Sequence, residues 1–262
     1  MNLDTRDDWG LVGKVAIVTG GGAAGDGIGN GRASAILLAK AGARVVVVDR
    51  DLALAEHTVK TIAGLPGEAI AVQADLTRAR DCAAMVEAAL DRFGRLDLLD
   101  NNVGIPSRGT VLDETEENWR HVMQVNVDTM FLAAKHAIPA MKRAGGGAIV
   151  NVSSISALRP RGLTVYSVSK GAVIALTRAM AVDHGPDGIR VNCVAPGFTM
   201  SEGVKQHPEV IEALRDVSVA ARTIQRDQVP EDVVGAVVYL AGPTADFVTG
   251  QTIVIDGGQY FH

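Results

Sequence analysis

A tyrosine and a lysine lie four residues apart in the segment Tyr166-Ser-Val-Ser-Lys170, and Ser154 lies 12 residues before the tyrosine. Side chains at this spacing share one face of a helix, so the phenol and the ammonium would be neighbours. A free tyrosine has a pKa of about 10, and lowering it by about 3 units takes about 4 kcal/mol of preference for the phenolate. An ammonium in a desolvated cleft can supply part of that preference, so the segment predicts a site for proton transfer.

A glycine-rich turn, residues 20–31, precedes this pair in the chain. Glycines let the backbone turn tightly and bring its N–H groups against a pyrophosphate at the start of a helix. The turn alone is a weak signal, but it follows a predicted strand, opens a predicted helix and has an acid, Asp49, at the end of the next strand. The turn would hold a dinucleotide that carries a hydride, and the tyrosine–lysine pair would carry a proton, so together they predict an enzyme that moves both. The positive nicotinamide of NAD+ would favour the phenolate further.

The ends of the second and third predicted strands carry the residues expected to select the cofactor. A carboxylate at Asp49 could accept hydrogen bonds from the adenosine ribose hydroxyls and would repel a 2′-phosphate. Arg50 follows it and could face a phosphate instead, while Asp75 and Leu76 end the third strand near the expected adenine edge. These residues predict NAD rather than NADP, and no metal site is expected.

Apolar strands alternate with helical patterns along the chain. Strands that are nearly continuous apolar runs must be covered on both faces, and right-handed crossovers then wind the sheet in both directions. We predict a single α/β domain over residues 1–262, a doubly wound parallel sheet of the Rossmann type with helices on both faces. The predicted strands are residues 14–19, 44–49, 69–74, 96–101, 148–153, 190–195 and 252–255. The predicted helices are residues 32–41, 80–93, 116–143, 165–184 and 231–241.

Residues 198–228 show no firm pattern apart from a possible helix over 209–217. A loop of that length in a compact domain is usually functional, so we predict a substrate lid.

The composition is typical of a globular protein that acts on small molecules. The 262 residues could bury roughly 70–75% of the unfolded surface. The net charge of −5, without a dense run of Lys or Arg, argues against nucleic acid and anionic membranes as partners. Cys82 and Cys193 lie in apolar stretches and predict buried, reduced thiols. The acidic N-terminus has no apolar core, and no apolar run approaches the ~20 residues of a membrane span, so we expect a cytoplasmic protein.

Further motifs complete a pattern that resembles the short-chain dehydrogenase/reductase family. Besides the glycine turn, Ser154 and the tyrosine–lysine pair, they are Asn101-Asn-Val-Gly104, Asn126, Pro196-Gly197 and the ending Phe247-Val-Thr-Gly-Gln-Thr-Ile-Val-Ile-Asp-Gly-Gly258. These motifs stand in the family's order and cover residues 14–258. The resemblance implies the doubly wound fold and the nicotinamide-dependent interconversion of alcohols and ketones.

The resemblance also implies a role for each matching residue. Tyr166 would be the general acid/base, and Lys170 would bind the nicotinamide ribose hydroxyls and lower the tyrosine pKa. Ser154 would hydrogen-bond the substrate oxygen, with Ser153 as the competing candidate, and Asn126 would hold a water in a proton relay. The cofactor cleft would be lined by Asn102, Gly104, Pro196, Gly197 and Thr199.

The glycine turn departs from the family pattern by about five extra residues between Gly20 and the predicted helix start at Arg32. We expect Gly20, Ile28 and Gly29 near the cofactor, and we expect Asp26 to point to solvent or to cap the helix, because phosphate would repel it. The two possible registers are Gly20 with Gly27 and Gly29, and Gly25 with Gly29 and Gly31. Two other departures, Asp100 and Val103, are expected to alter packing rather than chemistry.

The expected substrate wall is mostly apolar, which favours a small hydrophobic secondary alcohol or its ketone. Arg159 and Arg161 could bind a substrate carboxylate or form an exposed basic turn. The expected wall residues are Ile105, Ser156, Leu158, Leu163, Phe198, Met200 and Val204.

Two other functions stay open: a 3-oxoacyl thioester reductase using NADPH, and a non-catalytic dinucleotide-binding module, which should lack the tyrosine–lysine pair. A serine hydrolase lacks its Gly-x-Ser-x-Gly turn here, and a phosphate-loop nucleotidase lacks its Gly-Lys-Ser/Thr. The family resemblance implies a homotetramer that pairs helices 116–143 and 165–184 across one axis and the C-terminal strands across another, with Tyr260 and Phe261 as further candidates for a subunit contact.

Overall fold

The computed structural model describes residues 9–261, so residues 1–8 of the acidic N-terminus and His262 of the tail lie outside the described part. Its centre is one sheet of seven parallel strands in the order β3-β2-β1-β4-β5-β6-β7. The strand order reverses between β1 and β4, which makes the sheet doubly wound and confirms the predicted fold class. The strands are β1 Val15–Thr19, β2 Arg44–Asp49, β3 Ala69–Gln73, β4 Leu98–Asn101, β5 Gly147–Val152, β6 Ile189–Pro196 and β7 Thr252–Ile255.

Helices cover both faces of the sheet. One apolar core lies under α1, α2 and α9, and the other lies under α3, α5 and α6. The inner strands are almost wholly buried, while the side chains of β3 and β7 at the two edges are mostly half-buried. The helices are α1 Asn30–Lys40, α2 Leu52–Ile62, α3 Ala79–Phe93, α4 Glu116–Met123, α5 Thr129–Arg143, α6 Thr164–His184, α7 Glu202–Lys205, α8 Pro208–Ala220 and α9 Pro230–Ala241.

Three helical predictions need correction. Helix α2 was not predicted, and it begins where the Asp51 side chain accepts a hydrogen bond from the Ala53 N–H. The predicted long helix over 116–143 is interrupted by a π-helical turn, Gln124–Asp128. The segment 198–228 contains α7 as well as α8, which extends the possible helix over 209–217 in both directions.

One helical stretch, Thr164–Asp187, is long and apolar enough to cross a membrane by length and composition alone. It contains α6, which packs on β5 and β6 and carries Tyr166 and Lys170. A core helix passes the same test, and the packing of α6 on the sheet identifies it as one.

Candidate active site

The candidate residues gather at the edge of the sheet where the parallel strands end. Thr19, Asp49, Asn101 and Pro196 are the last residues of four of these strands. Ligands of open α/β sheets bind outside the carboxyl ends of the strands, at the point where the strand order reverses. This edge is therefore the candidate site.

The glycine turn brings β1 and α1 into close contact. Gly20 has a positive φ of +61°, and its carbonyl oxygen lies where a side chain on Gly31 would have to go. Gly29 is the N-cap residue of α1, so the helix begins at Asn30 and not at Arg32 as predicted. The turn thus combines members of both predicted registers. The first turn of α1 contains no acidic residue and receives no side-chain cap from the described part of the chain, which leaves its N–H groups for a ligand.

Asp49 is fixed at the end of β2 by backbone donors. Its two carboxylate oxygens accept hydrogen bonds from the N–H groups of Gly22 at 3.0 Å and Asp51 at 3.1 Å. Gly22 must be a glycine, because a Cβ there would meet the Asp49 carboxylate and Leu54. Asp26 points to solvent as expected, and its carboxylate pairs with His57 of α2 at 3.2 Å.

The three other residues predicted near the adenosine, Arg50, Asp75 and Leu76, differ in the groups that they could present to a ligand. Arg50 is exposed. Asp75 accepts hydrogen bonds from the Thr77 hydroxyl and N–H and pairs with Arg78, and these contacts hold the pKa of Asp75 below its usual range despite partial burial. The Leu76 side chain lies in the core under the sheet, so only its backbone could face a ligand.

Asn126 lies on the π-helical turn and ties three segments together. Its Oδ1 accepts from the Ile105 N–H at 2.7 Å, and its Nδ2 donates to the Ile105 carbonyl and to Ser169 Oγ, both at 3.0 Å. Ser169 Oγ donates in turn to the Tyr166 carbonyl at 2.8 Å. A π turn inside an α-helix often marks a functional site, and here it aims a fully buried amide at the candidate helix α6.

Lys170 is buried with little around it to balance a charge. Its Nζ donates to the Val152 carbonyl at 2.9 Å, and burial lowers the pKa of Lys170 to about 8. The Nζ atom also lies 2.8 Å from the place where a Cβ on Gly104 would stand, so a larger residue there would displace the ammonium. The ammonium lies 5.8 Å from the centroid of the Tyr166 ring, so the predicted neighbours do meet.

The Tyr166 phenol lies beside Ser154 rather than Ser153. Burial raises the pKa of Tyr166, and a hydrogen bond with the Ser154 hydroxyl acts in the opposite direction. The Ser154 hydroxyl also accepts from the Ser156 N–H at 3.1 Å. Ser153 is committed elsewhere, because its hydroxyl donates to the Lys170 carbonyl at 2.7 Å. The geometry therefore favours Ser154 as the partner of the tyrosine.

The end of β6 leads into the segment 198–228. Gly197 donates its N–H to the Ile255 carbonyl and has no room for a Cβ, which would lie 2.8 Å from Gln228 Oε1. Thr199 is buried and its hydroxyl bonds back to the Gly197 carbonyl at 3.0 Å, so that hydroxyl holds its own turn. Asn102 lies across the cleft on the loop after β4, where its N–H donates to Thr19 Oγ1 at 3.0 Å.

All seven residues of the expected substrate wall are half-buried, as residues at the side of a cleft would be. Arg159 and Arg161 are exposed, and Arg159 donates to the Gln259 carbonyl at 2.8 Å. Their surroundings match the exposed basic turn more closely than a buried carboxylate site.

Sequence reasoning missed two buried polar groups beside the site. Arg32, in the first turn of α1, lies under the glycine turn. Asp100 accepts a hydrogen bond from Ser34 at 2.6 Å, its second oxygen has no partner among residues 9–261, and burial raises the pKa of Asp100 to about 7. The signal for Asp100 is a polar residue inside an apolar pattern, and its burial beside the site goes beyond the expected effect on packing.

Comparison with known proteins agrees with this architecture. The family profile described as Enoyl-(Acyl carrier protein) reductase matches residues 21–260. Cyclohexanol dehydrogenase from Acinetobacter sp. (strain SE19) is 38% identical over 246 residues, covering 93% of this chain and 94% of its own.

Two solved structures have the same fold over nearly their whole length. A short-chain type dehydrogenase/reductase from Mycobacterium ulcerans superposes with a TM-score of 0.88 at 31% identity, covering 95% of this chain and 90% of its own. L-sorbose reductase from Gluconobacter frateurii, solved with NADPH and L-sorbose, gives a TM-score of 0.90 at 28% identity, covering 97% and 99%. Members of this family bind nicotinamide dinucleotides, and the chain is an oxidoreductase that belongs to the short-chain dehydrogenase/reductase family.

Proposed function

We propose that the protein interconverts a secondary alcohol and its ketone with NAD(H). The observation that carries this proposal is the cluster formed by Ser154, Tyr166 and Lys170, in which a phenol lies beside a hydroxyl and a buried ammonium. A non-catalytic binding module would have no need to bury an ammonium next to a phenol.

The residues at the edge of the sheet fit a dinucleotide. The uncapped start of α1 offers N–H groups to a pyrophosphate, and the contact between Gly20 and Gly31 keeps side chains out of the turn. Asn102 and Gly104 line the loop after β4, and Pro196, Gly197 and Thr199 lie at the end of β6. When bound, the nicotinamide would accept or supply the hydride.

Tyr166 is proposed to exchange the proton with the substrate oxygen, which Ser154 would hold by a hydrogen bond. Burial raises the pKa of the phenol, so the protein alone does not prepare it as a base at neutral pH. The Lys170 ammonium and the positive charge of a bound oxidised nicotinamide would both favour the phenolate. Asn126 would anchor a proton relay, because it links the loop after β4 to α6 through Ser169.

Asp49 supports NAD over NADP. Its carboxylate is held at the end of β2 by Gly22 and Asp51, where it would meet the adenosine ribose and repel a 2′-phosphate. L-sorbose reductase was solved with NADPH, so the family alone does not decide the cofactor. We expect Asp49→Ser to lower the preference for NAD over NADP by about tenfold or more, measured as the ratio of the two kcat/KM values. An unchanged ratio would remove Asp49 from this role.

The apolar wall supports a hydrophobic alcohol or ketone, as the name of the cyclohexanol dehydrogenase relative also suggests. The second candidate, an acyl thioester reductase, is favoured by the description of the matching family profile. The two are separated by following the absorbance of reduced nicotinamide with NAD+ or NADP+ on secondary alcohols, diols, sugars and hydroxy acids, and with NADH or NADPH on 3-oxoacyl and enoyl thioesters. Turnover on thioesters with NADPH alone would replace the leading proposal.

Assembly, the lid and the setting of the protein are further parts of the proposal. A homotetramer would cover exposed apolar side chains on the outer faces of α5 and α6, among them Phe131, Val168 and Val182, and others near the C-terminal strand, among them Phe247 and Phe261. A stable monomer at micromolar concentration, measured by light scattering, would contradict the homotetramer.

Residues 198–228 are proposed as the substrate lid. We also propose a cytoplasmic setting, which the two buried, unpaired cysteines Cys82 and Cys193 suit.

A further inference from the structure

The extended part of the glycine turn is organised around one buried arginine. Arg32 is 1% exposed, and its guanidinium donates to the carbonyl oxygens of Ala23 at 2.7 Å, Gly25 at 2.8 Å and Gly27 at 2.6 Å. Its Nε donates to Thr58 Oγ1 at 3.0 Å, and Thr58 donates to the Gly21 carbonyl at 2.8 Å. One side chain and its partner on α2 therefore fix four carbonyl groups of the turn.

This guanidinium carries a positive charge that no carboxylate contacts directly among residues 9–261. Burial lowers the pKa of Arg32, and Asp26, Asp49 and Glu202 oppose that shift only through space. A buried charge is costly unless it is paired, and carbonyl dipoles compensate it only in part. The charge thus lies directly under the turn where the pyrophosphate of a dinucleotide would rest.

The same hydrogen bonds set the direction of the neighbouring N–H groups. In a trans peptide the N–H points away from the preceding carbonyl, so the N–H groups of Ala24, Asp26 and Ile28 face away from the guanidinium. None of these three donates to another group of the described chain. Gly25 has a φ of +52°, the left-handed conformation that glycine adopts most readily, and this lets the turn direct its carbonyl toward Arg32.

We propose that Arg32 is a positioning residue for the phosphates of the dinucleotide. It fixes the carbonyl groups of the long turn, so that the N–H groups of the turn and of the start of α1 stay available to the pyrophosphate, and its charge adds attraction through the turn. This inference rests on the proposed function and deepens it, since it assigns the phosphate affinity to a residue that never contacts the ligand.

The test compares ligands that differ only in phosphate. Arg32→Lys keeps the charge but not the three-carbonyl geometry, Arg32→Met removes both, and Thr58→Val removes the link to Gly21. Dissociation constants are measured for NADH by its fluorescence, and for ADP and adenosine by competition. We expect Arg32→Met to weaken NADH and ADP by about 10- to 100-fold, with Arg32→Lys and Thr58→Val weakening them less, and adenosine to change by less than about threefold. The KM for NAD should rise while kcat at saturating NAD stays near that of the native protein.

Arg190→Met is the matched control. Arg190 is also partly buried and donates to the carbonyl groups of Leu240 and Gly242 at the end of α9, away from the glycine turn. Its substitution should cost stability and leave ADP affinity unchanged. Should Arg32→Met fail to fold, Arg32→Lys and Thr58→Val carry the comparison.

Two results would overturn the inference: unchanged ADP affinity in the folded Arg32 variants, or equal losses of ADP and adenosine affinity, which would show a general loosening of the turn. Absence of NADH and ADP binding by the native protein would instead contradict the proposed function itself.

Discussion

The two sides of the candidate cleft are built differently. On the side of the tyrosine, Asn126, Ser153 and Lys170 are less than one-tenth exposed, and each is bonded to the backbone of a neighbouring element. On the side of residues 198–228, most side chains of α7 and α8 are exposed or half-buried, and ion pairs such as Arg215 with Asp227 lie at the surface.

The difference follows from what each side must do. Proton transfer needs atoms held in place. A buried polar group left without its partner costs about 1–3 kcal/mol, so buried hydrogen bonds fix the positions of the side chains on the tyrosine side. Exposed ion pairs contribute about 0–1 kcal/mol, so the opposite side can be reshaped at little cost. We infer that the chemistry resides in the first side, and that the second side supplies the part of the expected substrate wall that can be reshaped.

Among the changes that test the contrast between the two sides, Lys170→Met is expected to have the largest effect on turnover. Removing the ammonium should lower kcat by about 10²–10⁴-fold, the range of general acid–base catalysis, because the phenolate would then be favoured only by the hydrogen bond with Ser154 and by a bound oxidised nicotinamide. Stability should change little, since a buried charge is lost together with one hydrogen bond to Val152. Steady-state kinetics and thermal unfolding of the same preparation check this. A loss of stability with kcat preserved would contradict a role in catalysis.

Asn126→Ala should reduce both activity and stability. It leaves the partly buried N–H and carbonyl of Ile105 without their partner and removes the donor to the buried Ser169 hydroxyl. We expect a loss of about 3–5 kcal/mol in the free energy of unfolding, measured by urea denaturation. A variant with native stability would show that the π turn does not depend on this amide.

Asp100→Asn tests whether the buried Asp100 carboxyl makes the free energy of unfolding depend on pH. The carboxyl has its pKa raised from 3.8 to about 7, so the folded state keeps the proton that the unfolded state releases. Stability from this group therefore falls as the pH rises from 3.8 to about 7 and stays low above it, whereas the variant should lack this fall. We expect the variant to gain roughly 2–4 kcal/mol relative to the native protein across that window.

The control for this prediction is Ser34→Ala, which removes the hydrogen bond to Asp100 but keeps the buried carboxyl. Urea unfolding across the pH window should still show the fall in that variant. Parallel pH profiles for Asp100→Asn and the native protein would contradict the assignment.

The smallest effect is expected on the substrate side. Arg215→Gln breaks an exposed ion pair with Asp227, and the free energy of unfolding should change by less than about 1 kcal/mol. Because residues 198–228 are proposed as the lid, the KM for substrate should change even though the free energy of unfolding changes so little. A large loss in the free energy of unfolding would contradict this contrast, because it would show that the side chains of residues 198–228 are held as firmly as those on the tyrosine side.

The sequence predicted the parts of the molecule in which local pattern and tertiary structure agree. The inner strands are continuous apolar runs because both of their faces are covered, so their positions in the sequence could be predicted. The tyrosine and lysine were predicted as neighbours from a spacing that one turn of helix fixes.

Other parts depend on contacts that no local pattern reports. The π turn at Asn126 lies within an unbroken helical pattern, and its role is visible only in the hydrogen bonds of Asn126 to Ile105 and Ser169. Arg32 looks like a surface residue until the long glycine turn closes over it. These features arise from pairing between distant segments.

The most direct test of the account is a comparison of the native protein with Tyr166→Phe, measuring dinucleotide affinity and substrate turnover on the same samples. The account predicts that NADH binds within a few-fold of the native affinity while turnover on the best alcohol or ketone falls by about 10³-fold or more. Retained turnover, or loss of NADH binding together with turnover in a folded variant, would contradict the assignment of Tyr166 as the acid/base.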